Sequence, residues 1–187
     1  MSRPAVVLDA CVLVPIRLAT TLLWLAESGL FQPLWSPAIL DEVQRALPKV
    51  GISPQQAQHR IDRMRQAFDS EASIDDFEHL IDHMRCDPKD RHVLAAAVHA
   101  RADTLVTFNL RDFPAEATTE HGINVAHPDD FLLQLVTAHP DTVRTTLEHQ
   151  TAAFRHPPQT ITQFLDSLAP TVPTFAQTAS NHCTDPI

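Results

Sequence analysis

The sequence predicts an α/β protein, with a three-layer α/β/α domain around a central parallel sheet and a small C-terminal helical extension. Short apolar runs of strand composition alternate with longer segments whose apolar residues recur at helical spacing. This order is typical of parallel strands joined by right-handed helical crossovers. From residue 128 onward only helical patterns follow. A chain of 187 residues is long enough for one such domain and an appendage.

The strands are predicted from short apolar runs that are bounded by polar or turn residues. Residues 104–108 are apolar and β-branched, and residues 5–8 are apolar throughout. Residues 31–35 form a shorter candidate, because Pro33 lacks the N–H that a central strand donates. Residues 122–125 complete the predicted set.

The helices are predicted from apolar residues three or four positions apart and from start and stop signals. Ser36 and Ser53 are each followed by proline, which places serine at an N-cap and proline at the first helical position. Asp87 and Pro88 are interpreted as another helix start. The predicted helices span residues 18–28, 37–47, 54–68, 75–84 and 87–102 in the domain, and 129–137, 141–154 and 160–168 in the extension.

These elements divide the chain into an α/β domain over residues 1–127, a helical extension over residues 128–169 and a tail over residues 170–187. The tail consists mainly of Thr, Pro, Ala and Ser. Such a composition offers little apolar surface to bury, so we expect the tail to be disordered.

Composition limits the classes of function. The 14 Lys and Arg against 23 Asp and Glu give a formal charge of −9, which opposes non-specific adhesion to nucleic acid. The 3 cysteines are far apart and lack the paired spacing of a zinc site, and the 11 histidines show no ligand spacing and are expected on the surface. Neither a membrane-spanning run nor a secretion signal is recognisable, so the cytoplasm is the expected location.

Four acidic residues stand where strands end or helices begin. Asp9 follows residues 5–8, and Asp112 follows residues 104–108 after a short link, so both lie at the carboxyl ends of predicted strands, where open α/β sheets place their chemistry. Glu42 borders the buried stripe of its helix. Asp90 precedes an apolar stripe by three and four residues and therefore faces the same side.

Each acid also has a purely structural explanation. Asp9 could cap a turn, Asp112 could be a loop residue, Glu42 could extend beside the core into solvent, and Asp90 could be the third residue of a capped helix. Their convergence at one sheet edge is harder to explain, because unpaired carboxylates repel one another. A divalent cation removes this repulsion, and oxygen ligands without His or Cys favour Mg²⁺ or Mn²⁺ over zinc.

Polar and basic side chains near these acids are further candidates. Asn109 could orient a carboxylate or a water, or it could be a turn residue, and Thr107 reaches the same region if Phe108 faces the core. Basic residues that could follow a nucleic-acid backbone are Arg17, Lys89, Arg91 and Arg111, together with His59, Arg60, Arg63 and Arg65 on one helix, for which a solvated helix face is the other explanation.

The four acids lie in four segments that follow one another along the chain. The segments are Val7-Leu8-Asp9-Ala10-Cys11-Val12-Leu13, Leu40-Asp41-Glu42-Val43, Asp90-Arg91-His92-Val93-Leu94-Ala95-Ala96-Ala97 and Leu105-Val106-Thr107-Phe108-Asn109-Leu110-Arg111-Asp112-Phe113. In this order and at this spacing they resemble the successive motifs of PIN-domain nucleases. The resemblance covers roughly residues 5–135 and is closest to the VapC-type toxins of prokaryotic toxin–antitoxin pairs.

The resemblance implies a metal-dependent endoribonuclease that acts as the toxin of a type II toxin–antitoxin pair. Its site would consist of Asp9, Glu42, Asp90 and Asp112, which would hold one or two Mg²⁺ or Mn²⁺ ions, with Asn109 assisting. The implied partners are an RNA substrate, a cognate antitoxin protein and a second copy of the chain in a homodimer. The alternative is a non-catalytic PIN-like module that binds RNA or protein.

Overall fold

The computed structural model describes residues 3–68, 70–155 and 157–183, which form two compact units. The sheet unit comprises the described residues of Met1–Val14 and Phe31–Ala126, and the helical unit comprises those of Pro15–Leu30 and His127–Ile187. Every helix within the described ranges is too short or too polar to traverse a lipid bilayer.

The sheet unit is built around a four-stranded parallel sheet in the order β2-β1-β3-β4. The strands are β1 (Ala5–Leu8), β2 (Gln32–Leu34), β3 (Thr104–Val106) and β4 (Asn124–Ala126). The predicted parallel sheet is confirmed. In the register of the central pair, Leu8 lies beside Val106. The residues that follow these two strands, Asp9 and Thr107, are therefore neighbours at the carboxyl edge of the sheet.

Helices account for most of the remaining structure in both units. The α-helices in the described part of the chain are α1 (Ala10–Leu13), α2 (Ile16–Glu27), α3 (Pro37–Ala46), α4 (Pro54–Phe68), α5 (Arg91–His99), α6 (Ala115–Thr118), α7 (Pro128–Ala138), α8 (Pro140–Ala152), α9 (Ile161–Leu168) and α10 (Pro173–Cys183). The predicted serine N-cap of α3 is present, because the Ser36 side chain accepts a hydrogen bond from the Ile39 N–H at 3.2 Å.

Two predicted helices of the sheet unit are shorter than expected. Between residues 75 and 84 only Glu78–His83 is helical, and it is a 3₁₀-helix. Asp76 has φ of 61°, a left-handed conformation that no right-handed helix contains, so the helix cannot begin at residue 75. The spacing of apolar residues in the sequence gives no indication of this left-handed residue.

The helix predicted to open at Asp87 begins four residues later, as α5. The Asp87 carboxylate accepts a hydrogen bond from the Lys89 N–H at 3.0 Å, and the Asp90 N–H donates to the Asp87 carbonyl at 2.9 Å. These bonds form a turn that competes with helix, as short acidic side chains often do. Asp90 is consequently the N-cap of α5 and not its third residue.

The segment Pro15–Leu30 belongs to the helical unit, together with the C-terminal helices. The predicted α/β domain over residues 1–127 includes this segment. The helix α2 packs against α8 and α9, and its residues Leu18, Leu22 and Leu25 are fully buried. The spacing of these leucines predicted the helix, but it could not identify the partner of the apolar face.

The C-terminal segment also differs from the prediction, because α10 is ordered where a disordered tail over residues 170–187 was expected. Two buried contacts explain the helix. The side chain of Phe175 is fully buried, and the carboxylate of Asp129 accepts the N–H groups of Thr174 at 3.1 Å and Phe175 at 2.8 Å, which caps α10. The last part of the predicted tail, residues 184–187, lies outside the described residues.

Candidate functional site

The site is centred on Asp9, which directly follows β1 and is only 3% exposed. Its carboxylate accepts two hydrogen bonds, from the Thr107 hydroxyl at 2.7 Å and from the Cys11 thiol at 3.1 Å, and both go to Oδ2. Asp9 is the N-cap of α1, but among the described residues its side chain makes no capping bond. The explanation that Asp9 merely caps a turn is therefore wrong.

Both donors to Asp9 are themselves held in place. The hydroxyl oxygen of fully buried Thr107 accepts the Asn109 N–H at 3.0 Å, and the Cys11 sulfur accepts the Phe108 N–H at 3.3 Å. Burial, and then the nearby charge of Asp9, raise the pKa of the Cys11 thiol to about 12. The Cys11 thiol therefore stays protonated near neutral pH, and its S–H group donates a hydrogen bond to the Asp9 carboxylate.

The electrostatic environment of Asp90 indicates that the predicted acids lie near one another. Its pKa is raised from 3.8 to about 6, first by burial and then by the negative charges of Asp9, Asp112, Asp87 and Glu42. A charge can act in this way only if it is close, so the structure brings the predicted acids into one electrostatic cluster. As N-cap of α5, Asp90 makes no side-chain capping bond within the described chain, which removes the helix-capping explanation.

Glu42 lies on α3 at the edge of this cluster, and 36% of its side chain is exposed. Burial and the charge of Asp9 raise the pKa of Glu42, while His92 opposes this shift. The Nε2 atom of His92 lies 3.4 Å from Glu42 Oε1, which is an ion-pair distance without the alignment of a hydrogen bond. With 16% of its side chain exposed, His92 is not the surface residue that was expected.

Asp112 and Asn109 lie in the loop after β3. Asp112 is half-buried in a 3₁₀-turn, and its backbone carbonyl accepts the Asp87 N–H at 3.0 Å. This bond ties the loop to the segment that carries Asp90. Asn109 is exposed, and its backbone N–H supports Thr107. The assisting role of the Asn109 side chain stays a prediction.

The acids are neighbours, but they do not form a finished ligand set. Across the described ranges, no group of three or more His, Cys, Asp or Glu side chains is arranged to hold one metal ion. The donor chemistry nevertheless suits a hard cation, because the clustered groups are carboxylate oxygens whose charges repel one another, as the raised pKa of Asp90 shows.

Sequence reasoning missed three contributors to this region, Asp87, His92 and Cys11. The sequence pattern indicates a helix start at Asp87, and it places Cys11 only among cysteines that lack the spacing of a zinc site. Only the packing of α3 beside the start of α5 places His92 against Glu42, and a local pattern contains no such information. The Cys11 contacts likewise depend on the parallel pairing of β1 and β3.

Two of the basic candidates are already bound within the fold. The guanidinium of Arg60 donates to the carbonyls of Leu13 and Val14 at the end of α1, and that of Arg17 donates to the Gln159 side chain at 3.0 Å. These side chains therefore have structural partners within the fold. Lys89, Arg111, Arg63 and Arg65 are exposed.

Removing the charge of Asp90 should stabilise the metal-free protein near neutral pH. Because the folded pKa is raised from 3.8 to about 6, the folded state holds a proton that the unfolded state has lost between these values. The Asp90 carboxyl therefore lowers the free energy of unfolding as pH rises from 3.8 to about 6, and the full loss of stability persists at higher pH. Solvent screening of the partly buried group reduces the penalty to about 1 kcal/mol.

We expect Asp90→Asn to raise the Tm at pH 7 in the presence of a chelator, and to leave it unchanged near pH 4, where Asp90 is protonated. Thermal unfolding of both proteins between pH 4 and pH 8 tests this. Asp82→Asn, at an exposed acid, is the control with no expected pH-dependent difference. Marked destabilisation by Asp90→Asn at pH 7 would show that the carboxylate stabilises the helix start instead.

Two family models match the chain. One is described as PIN domain and matches residues 5–111, and the other is described as VapC50 C-terminal domain and matches residues 128–181. A curated protein of Mycobacterium tuberculosis (strain ATCC 25618 / H37Rv), named "Putative ribonuclease VapC50", is 43% identical over 91 residues, which are 49% of this chain and 54% of that protein. The chain thus spans about half the length of the curated relative. No solved structure matches it significantly.

Proposed function

The chain belongs to the PIN-domain family, and from this premise we propose that it is a metal-dependent endoribonuclease that hydrolyses RNA phosphodiester bonds. One arrangement carries the proposal: buried Asp9 follows β1 at the carboxyl edge of the parallel sheet with two donors on its Oδ2, and Asp90 lies near it, its pKa raised first by burial and then by the charges of Asp9 and three further acids. A site that concentrates negative charge in this way gains stability when a cation binds. The named activity of the M. tuberculosis relative supports the same reaction.

The proposed ligands of the cation are Asp9, Glu42, Asp90 and Asp112. All four offer carboxylate oxygens, which suit Mg²⁺ or Mn²⁺. When bound, such an ion supplies a more acidic attacking water and stabilises the negative charge that develops on the phosphate.

The residues of the chain itself prepare this chemistry. Thr107 and Cys11 both donate to Oδ2 of Asp9, so Oδ1 is the oxygen that they leave for a ligand. Asp90 is ionised for the most part at pH 7, because its raised pKa of about 6 still lies below neutrality. Exposed Lys89 and Arg111, each one residue from a proposed ligand, would hold the phosphates that flank the scissile bond.

The overall charge of −9 is compatible with this substrate if binding is local. An acidic surface repels RNA at a distance, but the cation and the adjacent basic side chains compensate for this at the point of cleavage. In the wider proposal the chain is the toxin of a type II toxin–antitoxin pair in the cytoplasm. Its partners are then a cognate antitoxin and a second copy of the chain.

The purified protein should cleave a structured RNA in the presence of Mn²⁺, and a chelator should abolish the cleavage. We expect Glu42→Gln to reduce the rate about 100-fold, because it removes a ligand charge and keeps the side-chain size. Asp41→Asn is the matched control, since it changes an exposed acid one residue away on α3 and should leave the rate unchanged.

Cleavage that persists in the chelator would contradict the metal requirement. Saturable RNA binding without any cleavage, under all divalent cations tested, would favour the non-catalytic PIN-like module.

A further inference from the structure

We infer that Cys11 is a positioning residue for Asp9: its thiol couples the carboxylate at the end of β1 to the backbone at the end of β3. The inference rests on the proposed function, because it assigns a role toward the cation that Asp9 would bind. It concerns a residue that neither the motif resemblance nor the charge pattern assigns.

The geometry places the Cys11 sulfur between two strands. The sulfur lies 3.1 Å from Asp9 Oδ2, to which it donates, and it accepts the Phe108 N–H at 3.3 Å. It is also 3.4 Å from the Thr107 hydroxyl oxygen. One side chain in α1 therefore contacts the acid that follows β1 and two consecutive residues that follow β3.

The thiol acts together with the Thr107 hydroxyl, which donates to the same oxygen at 2.7 Å. A carboxylate that accepts one hydrogen bond can still turn about that hydrogen bond. Two donors that approach from different segments of the chain restrict this rotation. The direction of Oδ1 is thereby fixed. Hydrogen bonds of this kind to metal ligands commonly change metal affinity by 10–100-fold when they are removed.

The test is Mn²⁺ binding by isothermal titration calorimetry on the full chain, which requires no RNA. We expect Cys11→Ala to weaken Mn²⁺ binding about tenfold, because all three contacts of the sulfur are lost. Cys11→Ser keeps a donor and an acceptor and should restore binding to within about threefold of the parent. Cys183→Ala, which removes a thiol from the helical unit, should bind Mn²⁺ as the parent does.

Unfolding in chelator, measured alongside, separates positioning from a merely structural role. A lower Tm for Cys11→Ala with unchanged Mn²⁺ affinity overturns the inference and leaves the proposed function intact. A parent protein without a saturable Mn²⁺ site overturns both. Should Cys11→Ala fail to fold, Cys11→Val fills the volume without a donor and is expected to show the same tenfold loss, while affinity equal to that of the parent overturns the inference.

Discussion

Asp9→Asn should reduce RNA cleavage by about a thousandfold, the largest effect expected from any single substitution in this chain. Asp9 is the most buried of the acids, and its Oδ2 is held by two donors. An asparagine keeps the shape and can still accept both hydrogen bonds through its amide oxygen. Its NH₂ group then stands where Oδ1 was, and an NH₂ group cannot bind a cation.

Initial rates of cleavage with Mn²⁺ at saturating RNA measure this effect. The matched control is Asp103→Asn, because Asp103 precedes β3 at the opposite edge of the sheet, where its carboxylate accepts the Ala5 N–H at 2.8 Å. That variant should cleave at nearly the parent rate, with a small loss of stability. A rate for Asp9→Asn within tenfold of the parent would remove Asp9 from the proposed site.

Truncation after residue 127 should yield a protein that fails to fold cooperatively. The helix α2 loses its partners α8 and α9, so we expect its buried leucines at positions 18, 22 and 25 to become exposed. Each exposed leucine costs about 1.5–3 kcal/mol, so the sum is on the order of 5 kcal/mol or more. A loss of this size is comparable to the whole stability of many domains.

Circular dichroism and gel filtration of the truncated chain test this expectation, and the result should be aggregation or a broad thermal transition. A chain of residues 1–183 is the control, since it keeps every described helix and should unfold as the full chain does. A sharp transition near the parent Tm for residues 1–127 would contradict the assignment of α2 to the helical unit.

The parallel sheet and the main helices could be predicted because local information specifies them. Residues 104–108 and 5–8 are short apolar runs between polar residues, and the leucines of α2 repeat at helical spacing. The closeness of Asp9 to the residues after β3 could be predicted for a related reason. Parallel strands end at one edge, so residues that follow β1 and β3 must be neighbours.

The remaining features depend on contacts between distant segments. The composition of the tail, which includes Phe175, offers too little apolar surface to predict a helix. The helix is capped by Asp129, which lies 46 residues before Phe175 in the sequence. His92 lies beside Glu42 only because α3 packs near the start of α5. At Asp87 a local side-chain bond overrides the helical pattern. These differences arise from tertiary packing and turn chemistry, which hydrophobic periodicity does not encode.

The backbone bond between the Asp87 N–H and the Asp112 carbonyl, 3.0 Å long, has a mechanical consequence. It joins the loop that carries Asp112 to the turn that carries Asp90. A substitution that changes the backbone of either segment should therefore change the positions of both carboxylates.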